Sequence, residues 1–534
     1  MSAAAGVSFL ILSQVLTKAF TFGSNQVLVR NISPEVFGIA SYLEFLVESV
    51  LFFSREAERN AIQRVAAQPA KARQIITNFA YVPLVLGVPV GLTTFLLQKS
   101  SAMYAETIAP LPFSGISIAL SVFLIFLELI AEPLFALNQY LLNFKVRSKI
   151  ESSAVFMRCF STLAAVLASK RYYSGREFDG LAVASFALGQ LVYSAATLIG
   201  YWILASYKVA RAERVEEKDN LYWLEPATFS LWKSLFVQMI FKHLLTEGDH
   251  LVVSYLFDVA EQGVYSVIEN YGSIVARLLF QPIEELLRMT FTRIFSKKDA
   301  DVSASYKLME NLLVFYANLS LLLVLAGYTN GGFLLRLLLG RNEKWSASSV
   351  FDYFPQYVLY LPFLAFNGIL EGFFSSASTQ KQIGTFSVFM SVSSAAVLTL
   401  LYVLVEKFLW GLTGLIVANM VNMMLRIVYC FVFLVDFYKK NNVTTDLASI
   451  VNRLALPLLS VATTFGIQQK VFGQIQSRTF VDFVESAGLC FVSLLVILYG
   501  ERKTLVSLLK KEKRAEGKIE KAERDGQMAD EAEN

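Results

Sequence analysis

Apolar runs closed by short polar connections recur along the whole chain, and each approaches the ~20 residues that a helix needs to cross ~30 Å of hydrocarbon. They fall near 5–28, 35–54, 75–97, 113–137, 152–169, 181–205, 231–256, 261–281, 308–327, 355–377, 384–405, 410–435, 451–470 and 480–499. The pattern predicts an all-α, polytopic membrane protein with about fourteen transmembrane helices. One stretch departs from it. Residues 242–288 are apolar overall yet carry more ionisable side chains than a lipid-facing helix tolerates.

That stretch has a counterpart 225 positions earlier. Without a gap, Lys18 falls on His243, Thr21 on Thr246, Gly23 on Gly248, Val27 on Val252, Gly38 on Gly263, Ser41 on Ser266 and Glu44 on Glu269. Further along, Gly180-Leu181 answers Gly414-Leu415, and Glu132 is placed against Glu371. Self-similarity of this kind predicts a tandem duplication. The expected organisation is a six-helix lobe over 1–206, a cytosolic linker over 207–230, a second six-helix lobe over 231–437, two additional helices over 438–500 and a charged tail over 501–534. Because six is even, both lobes enter the membrane in the same direction and are pseudo-symmetric about its normal.

Composition sharpens this picture. With 55% hydrophobic and 17% charged residues the chain lies far from the usual soluble balance, and a net charge of +4 gives no reason to expect a nucleic-acid surface. Basic residues concentrate after the second, fourth, sixth and eighth spans, as in Arg55, Arg59, Arg64, Lys71 and Arg73, so both termini are expected in the cytosol. Cys159, Cys430 and Cys490 lie inside apolar runs and read as packing residues, without metal-ligand spacing. The first run lacks a basic leader and contains Lys18, so it is expected to stay as a span.

Ionisable groups at bilayer depth normally face a bundle interior or an aqueous cavity. Lys18 lies on the first span and Glu44 with Glu48 on the second; His243, Glu247, Asp249 and His250 lie on the seventh, and Glu269 with Arg277 on the eighth. The expectation is a wet cleft between the lobes in which Lys18, His243 and Arg277 hold an anion, a phosphate or diphosphate beside lipid. The carboxylates Glu44, Glu48, Glu247, Asp249 and Glu269 would hold those cations or bond sugar hydroxyls. Arg55, Glu56 and Arg59 at the end of the second span, and Gln281, Pro282, Glu284 and Glu285 at the end of the eighth, are candidates for an inner gate of cross-lobe ion pairs or for interfacial caps. Asn419, Asn422 and Arg426 form one polar stripe on the twelfth span. Arg158 reads as an isolated packing charge. Pro133 and Pro282 are expected to break or bend their helices, and the paired glycines to permit close backbone approach or bending.

No phosphate-binding GK[ST] loop occurs, so no ATP-driven motor is visible. Two histidines are too few for a histidine-rich metal site, no connection is long enough for a soluble catalytic domain, and neither enzyme activity nor a cofactor is expected. The sequons at Asn31, Asn318 and Asn442 are expected to carry no glycan, being close to the membrane, inside a span and cytosolic respectively.

Several segments resemble the eukaryotic Rft family of endoplasmic-reticulum membrane proteins, itself similar to the multidrug/oligosaccharidyl-lipid/polysaccharide exporters. They are SREAERNAIQR at 54–64, LELIAEPLFALNQ at 127–139, EQGVYSVIENYGSIVARLLFQPIEE at 261–285, FNGILEGFF at 366–374 and GLIVANMVNMMLRI at 414–427. The resemblance implies a two-lobed transporter fold and translocation, or support of translocation, of the dolichol-diphosphate-linked oligosaccharide used in N-glycosylation. It also implies an endoplasmic-reticulum location. It carries over Arg55, Glu56, Arg59, Glu132, Arg277, Gln281, Pro282, Glu284, Glu285, Asn367, Glu371, Asn419, Asn422 and Arg426. A non-transporting accessory protein that binds the lipid, or glycosylation enzymes, is the alternative; a cation-coupled exporter of small molecules is a third reading.

Overall fold

A computed structural model describes residues 20–502, apart from 64, 66–68, 102, 142–143, 205–211, 218–219, 277–279, 296–301, 341–342 and 473–478. Lys18, Arg277 and the tail beyond 502 therefore lie outside the described residues, as do the side chains of Glu247, Asp249, His250, Pro282 and Glu285.

Helices follow the predicted runs closely. In chain order they are α1 (20–31), α2 (Pro34–Ile62), α3 (Pro69–Phe79), α4 (Val82–Lys99), α5 (Ser114–Tyr140), α6 (Phe144–Tyr172), α7 (Gly175–Leu204), α8 (Pro226–Leu256), α9 (Val259–Val275), α10 (Gln281–Phe295) and α11 (Val302–Leu339), then α12 (Glu343–Ser346), α13 (Val350–Ala377), α14 (Gln380–Tyr402), α15 (Gly411–Lys440), α16 (Leu447–Val471) and α17 (Phe480–Gly500). Among the described residues eleven segments are long and apolar enough to cross a membrane. The other three predicted spans are 5–28, mostly outside the described residues, and 231–256 and 261–281, whose charges set them apart from the apolar eleven. Pro133 does not break its helix: α5 runs through it without interruption.

The chain packs as two compact units. The first holds residues up to 270 together with 336–350 and 387–418; the second holds 271–335, 351–386 and 419–534. In the first unit α8 packs against α2, where Ala57 and Ala61 meet Leu235 and Trp232. In the second unit α16 and α17 join α11 through Leu325, Val461 and Ile497. A polar seam runs beside that contact, in which the Gln468 amide donates to the Ser486 hydroxyl at 2.9 Å and Thr464 meets Ser493 at 2.7 Å. The small Ser and Thr side chains let these helices approach closely.

Two positions that the 225-residue shift matches meet in the first unit. Gly38 on α2 lies against the Val259 carbonyl and the Gly263 amide on α9, while Gly263 lies against the Pro34 carbonyl and the Gly38 amide. Pro34 and Val259 are themselves 225 apart, so repeat-equivalent residues contact each other about a local twofold axis. The helix starts correspond as well. Ser33 accepts from the Val36 amide, and Asp258, its equivalent, accepts from the Glu261 amide at 2.7 Å. Alanine at Ser33 or Asp258 is expected to cost about 1 kcal/mol each through loss of the cap, read as a lower unfolding temperature of the purified protein.

The stretch expected to be a plain linker has structure. A two-stranded antiparallel hairpin, β1 (Val215–Glu217) and β2 (Asn220–Tyr222), pairs Val215 with Tyr222. Asn78 on α3 holds its base, donating to the Glu213 and Trp223 carbonyls at 2.7 and 2.8 Å. Val215 then enters the core formed by Ile62, Ile75, Ile76, Phe79 and Ala136. The segment is thus clamped to the end of the first unit.

Candidate functional site: an intramembrane ionic ladder

One face of α2 carries Glu44, Glu48, Arg55 and Arg59 at helical spacing. The Arg55 guanidinium donates to Glu128 at 2.7 Å, and Arg59 makes a two-pronged contact with Glu132 in which its Nη2 lies 2.8 Å from Oε2. Both pairs are 73 residues apart, so α2 and α5 run parallel and the pairs form successive rungs. Ser194 on α7 donates to the other Glu128 oxygen at 3.0 Å. A third rung closes toward the start of α2, where Arg158 on α6 pairs with Glu44. Gln190 on α7 lines the small pocket beside that pair.

Burial makes these rungs consequential. Glu132 is 1% exposed and its Arg59 partner 19%. Desolvated ions survive only when paired and hydrogen-bonded, and a planar fork meeting a carboxylate satisfies both partners. Arg59 also stacks over the Phe135 ring, 3.9 Å from its centroid, and Arg147 approaches the same ring at 5.0 Å. Such cation–π contact fixes the guanidinium plane. Glu58, one residue before Arg59, is fully buried, and neither of its oxygens has a hydrogen-bond partner among the described residues.

In the second unit Asn367 donates to Glu371 at 3.2 Å within α13. Phe374 packs on Tyr429 and Phe433 of α15, the helix that carries Asn422 and Arg426. Glu284 on α10 pairs with Arg288 at 2.8 Å and lies against Gly368.

Several expectations change. Arg55 and Arg59 find their carboxylates on α5, inside the first unit, so they do not form cross-lobe pairs. His243 is not in an open cavity: it is 4% exposed, stacks on Phe52 with centroids 4.6 Å apart and meets the Ser49 hydroxyl at 3.1 Å. The consecutive Phe52 and Phe53 rings of α2 account for this, since they enclose an imidazole from α8. Arg158 pairs with Glu44, in keeping with its reading as a packing charge. A Cβ at Gly23 would meet nothing within 4 Å among the described residues, unlike one at Gly38 or Gly263. Glu56 accepts from Asn60, Gln281 is exposed and Glu269 is half-buried. Asn31 donates to the Val27 carbonyl at 2.7 Å and accepts from Lys170 at 2.9 Å.

Glu128, Ser194 and Phe135 escaped sequence reasoning as partners. A signal for the first was present: two arginines four apart on one span and two glutamates four apart on another have complementary charge and equal spacing.

Long apolar helices, eleven of which among the described residues could cross a membrane, define a polytopic helical membrane protein. Its fold is similar to that of the solved structure of Lipid II flippase MurJ in an inward closed conformation, with a TM-score of 0.65, covering 93% of this chain and 99% of that one at 12% identity. The chain belongs to the Rft protein family, whose sequence profile matches residues 2–511. It is 36% identical over 529 residues to the Man(5)GlcNAc(2)-PP-dolichol translocation protein RFT1 of Candida albicans, covering 94% of both chains. To the protein of the same name from Candida glabrata it is 37% identical over 536 residues, covering 94% of this chain and 96% of that one.

Proposed function

We propose that this protein translocates the dolichol-diphosphate-linked oligosaccharide precursor of N-glycosylation across the endoplasmic-reticulum membrane by alternating access, with both termini cytosolic. The observation that carries the reading is near full-length identity with relatives named for that translocation. The cargo sets a physical demand: a diphosphate and sugars must cross hydrocarbon while the polyprenyl chain stays in lipid. Charge held inside the membrane-spanning helices serves that demand, because polar groups there lower the cost of a polar headgroup at bilayer depth. Without an ATP-binding loop the drive is the substrate gradient or a coupled ion.

The test is reconstitution of the purified protein in liposomes with labelled Man(5)GlcNAc(2)-PP-dolichol, scored by how fast the glycolipid becomes accessible on the opposite leaflet. Accelerated exchange is expected, and Arg277→Ala is expected to abolish it if that residue holds the diphosphate. No acceleration by well-folded protein would remove the reading.

A second reading is favoured by the ladder itself. Arg55, Arg59 and Arg158 are each paired with a carboxylate, as befits an accessory protein that binds the lipid or glycosylation enzymes without moving cargo. Saturable glycolipid binding with no transbilayer movement is its signature.

A further inference from the structure

Only three residues, Phe408, Leu409 and Trp410, join the span that ends at Lys407 to the one that begins at Gly411. The connection is closed by its own main chain. A π-helical turn over Val403–Lys407 follows α14, and the Phe408 amide donates to the Val403 carbonyl and the Trp410 amide to the Leu404 carbonyl, both at 3.1 Å. Leu404, Val405 and Trp410 close on Gly414 of α15, 3.2–3.4 Å from where its Cβ would sit. The tip therefore ends within about one helical turn of both spans and has no slack with which to leave the membrane surface.

Its chemistry is the reverse of what a connection lying in water carries. Phe408, Leu409 and Trp410 are 63%, 82% and 47% exposed, and the two rings lie with centroids 6.2 Å apart. Leu409 adopts φ +57°, the left-handed conformation that ends helices and that Gly or Asn takes at least cost. The other end of α15 supplies the comparison: there the residue at φ +57° is Asn442, exposed beside Asn441 and Lys440. The backbone at 409 thus has no need of a leucine, and a side chain so exposed makes little contact within the protein. Its apolar contact lies outside the chain. Glu406 and Lys407, both exposed, give the same turn a charged edge, and aromatic rings beside charge at the end of a span are what the membrane–water interface favours.

We propose that Phe408, Leu409 and Trp410 form a wedge seated at the headgroup–acyl boundary of the bilayer, so that its partner is phospholipid and it holds this end of α14 and α15 at a fixed depth. A soluble protein partner would need the tip to stand clear of the lipid, which three residues do not allow.

Full-length protein in phosphatidylcholine vesicles would be read at two positions. The emission of Trp410, taken as the difference between wild type and Trp410→Phe, is expected to be quenched more by lipid brominated near the headgroup than by lipid brominated at the chain ends or by aqueous iodide. A charged, membrane-impermeant maleimide is expected to label Leu409→Cys roughly tenfold more slowly than Glu406→Cys, because a thiol in an apolar setting forms less thiolate. Leu409 and Glu406 are both exposed, so neither change opens the core; wild type labelled in parallel corrects for Cys159, Cys430 and Cys490. Three results would each overturn the proposal: iodide quenching stronger than that by either brominated lipid, strongest quenching from the chain ends, or equal labelling of the two cysteine variants. None of these measurements scores glycolipid movement, so the wedge is tested apart from the proposed function.

Discussion

Replacing Glu132 with alanine is expected to cost about 3–5 kcal/mol of stability, the penalty for leaving a buried charge without its partner. The carboxylate is almost wholly buried against Arg59, and that guanidinium is packed on Phe135, so it cannot swing into water without losing the ring. Glu132→Gln keeps an acceptor and should cost less. If Arg59→Met is combined with Glu132→Leu, much of the loss should return, because two apolar side chains of similar bulk remove both desolvation penalties. Thermal unfolding of wild type, Arg59→Met, Glu132→Leu and the double variant, read as a double-mutant cycle, measures the coupling directly. An unfolding temperature for Glu132→Ala equal to wild type would mean that the rung is open to solvent and carries no stability.

The second large effect lies at the crossing of α2 and α9. A Cβ at Gly38 would overlap main-chain atoms of Val259 and Gly263, and main chain cannot yield as a flexible side chain does. Overpacking in cores costs about 1–3 kcal/mol and occasionally more; Gly38→Val is expected at the upper end, with loss of folded protein from detergent extracts. Gly38→Ala and Gly263→Ala should destabilise to similar degrees because they are related by the local twofold. Their combination should cost less than the sum, since one alanine already pushes the helices apart. Gly23→Ala, with nothing within 4 Å, is the neutral control. A harmless Gly38→Val would refute the close approach.

Both effects rest on residues whose membership in a helix was legible from the sequence but whose partners were not. The 225-residue shift matched Gly38 with Gly263 as equivalents; that they also touch is a property of two helices crossing at their starts, which no alignment of a chain with itself contains. Equally, Arg59 and Glu132 were both singled out, yet each was assigned elsewhere, Arg59 to a gate and Glu132 to a repeat partner. His243 illustrates the converse. An ionisable residue in an apolar run suggests a cavity, and the Phe52 and Phe53 rings that enclose it belong to a helix nearly two hundred positions away.

What the sequence by itself determined was the placement of most of the apolar helices, the repeat of Gly38 as Gly263, and that Glu44 and Glu48 share a face of α2. Those follow from local rules: helix length against bilayer thickness, periodicity along one face and the identity of repeated residues. Only the tertiary structure decided which charges neutralise one another, which glycines are contacts, and that the stretch after α7 folds into a hairpin clamped by Asn78. Pairing across helices depends on azimuth and depth together, and burial is a property of the neighbours rather than of the residue.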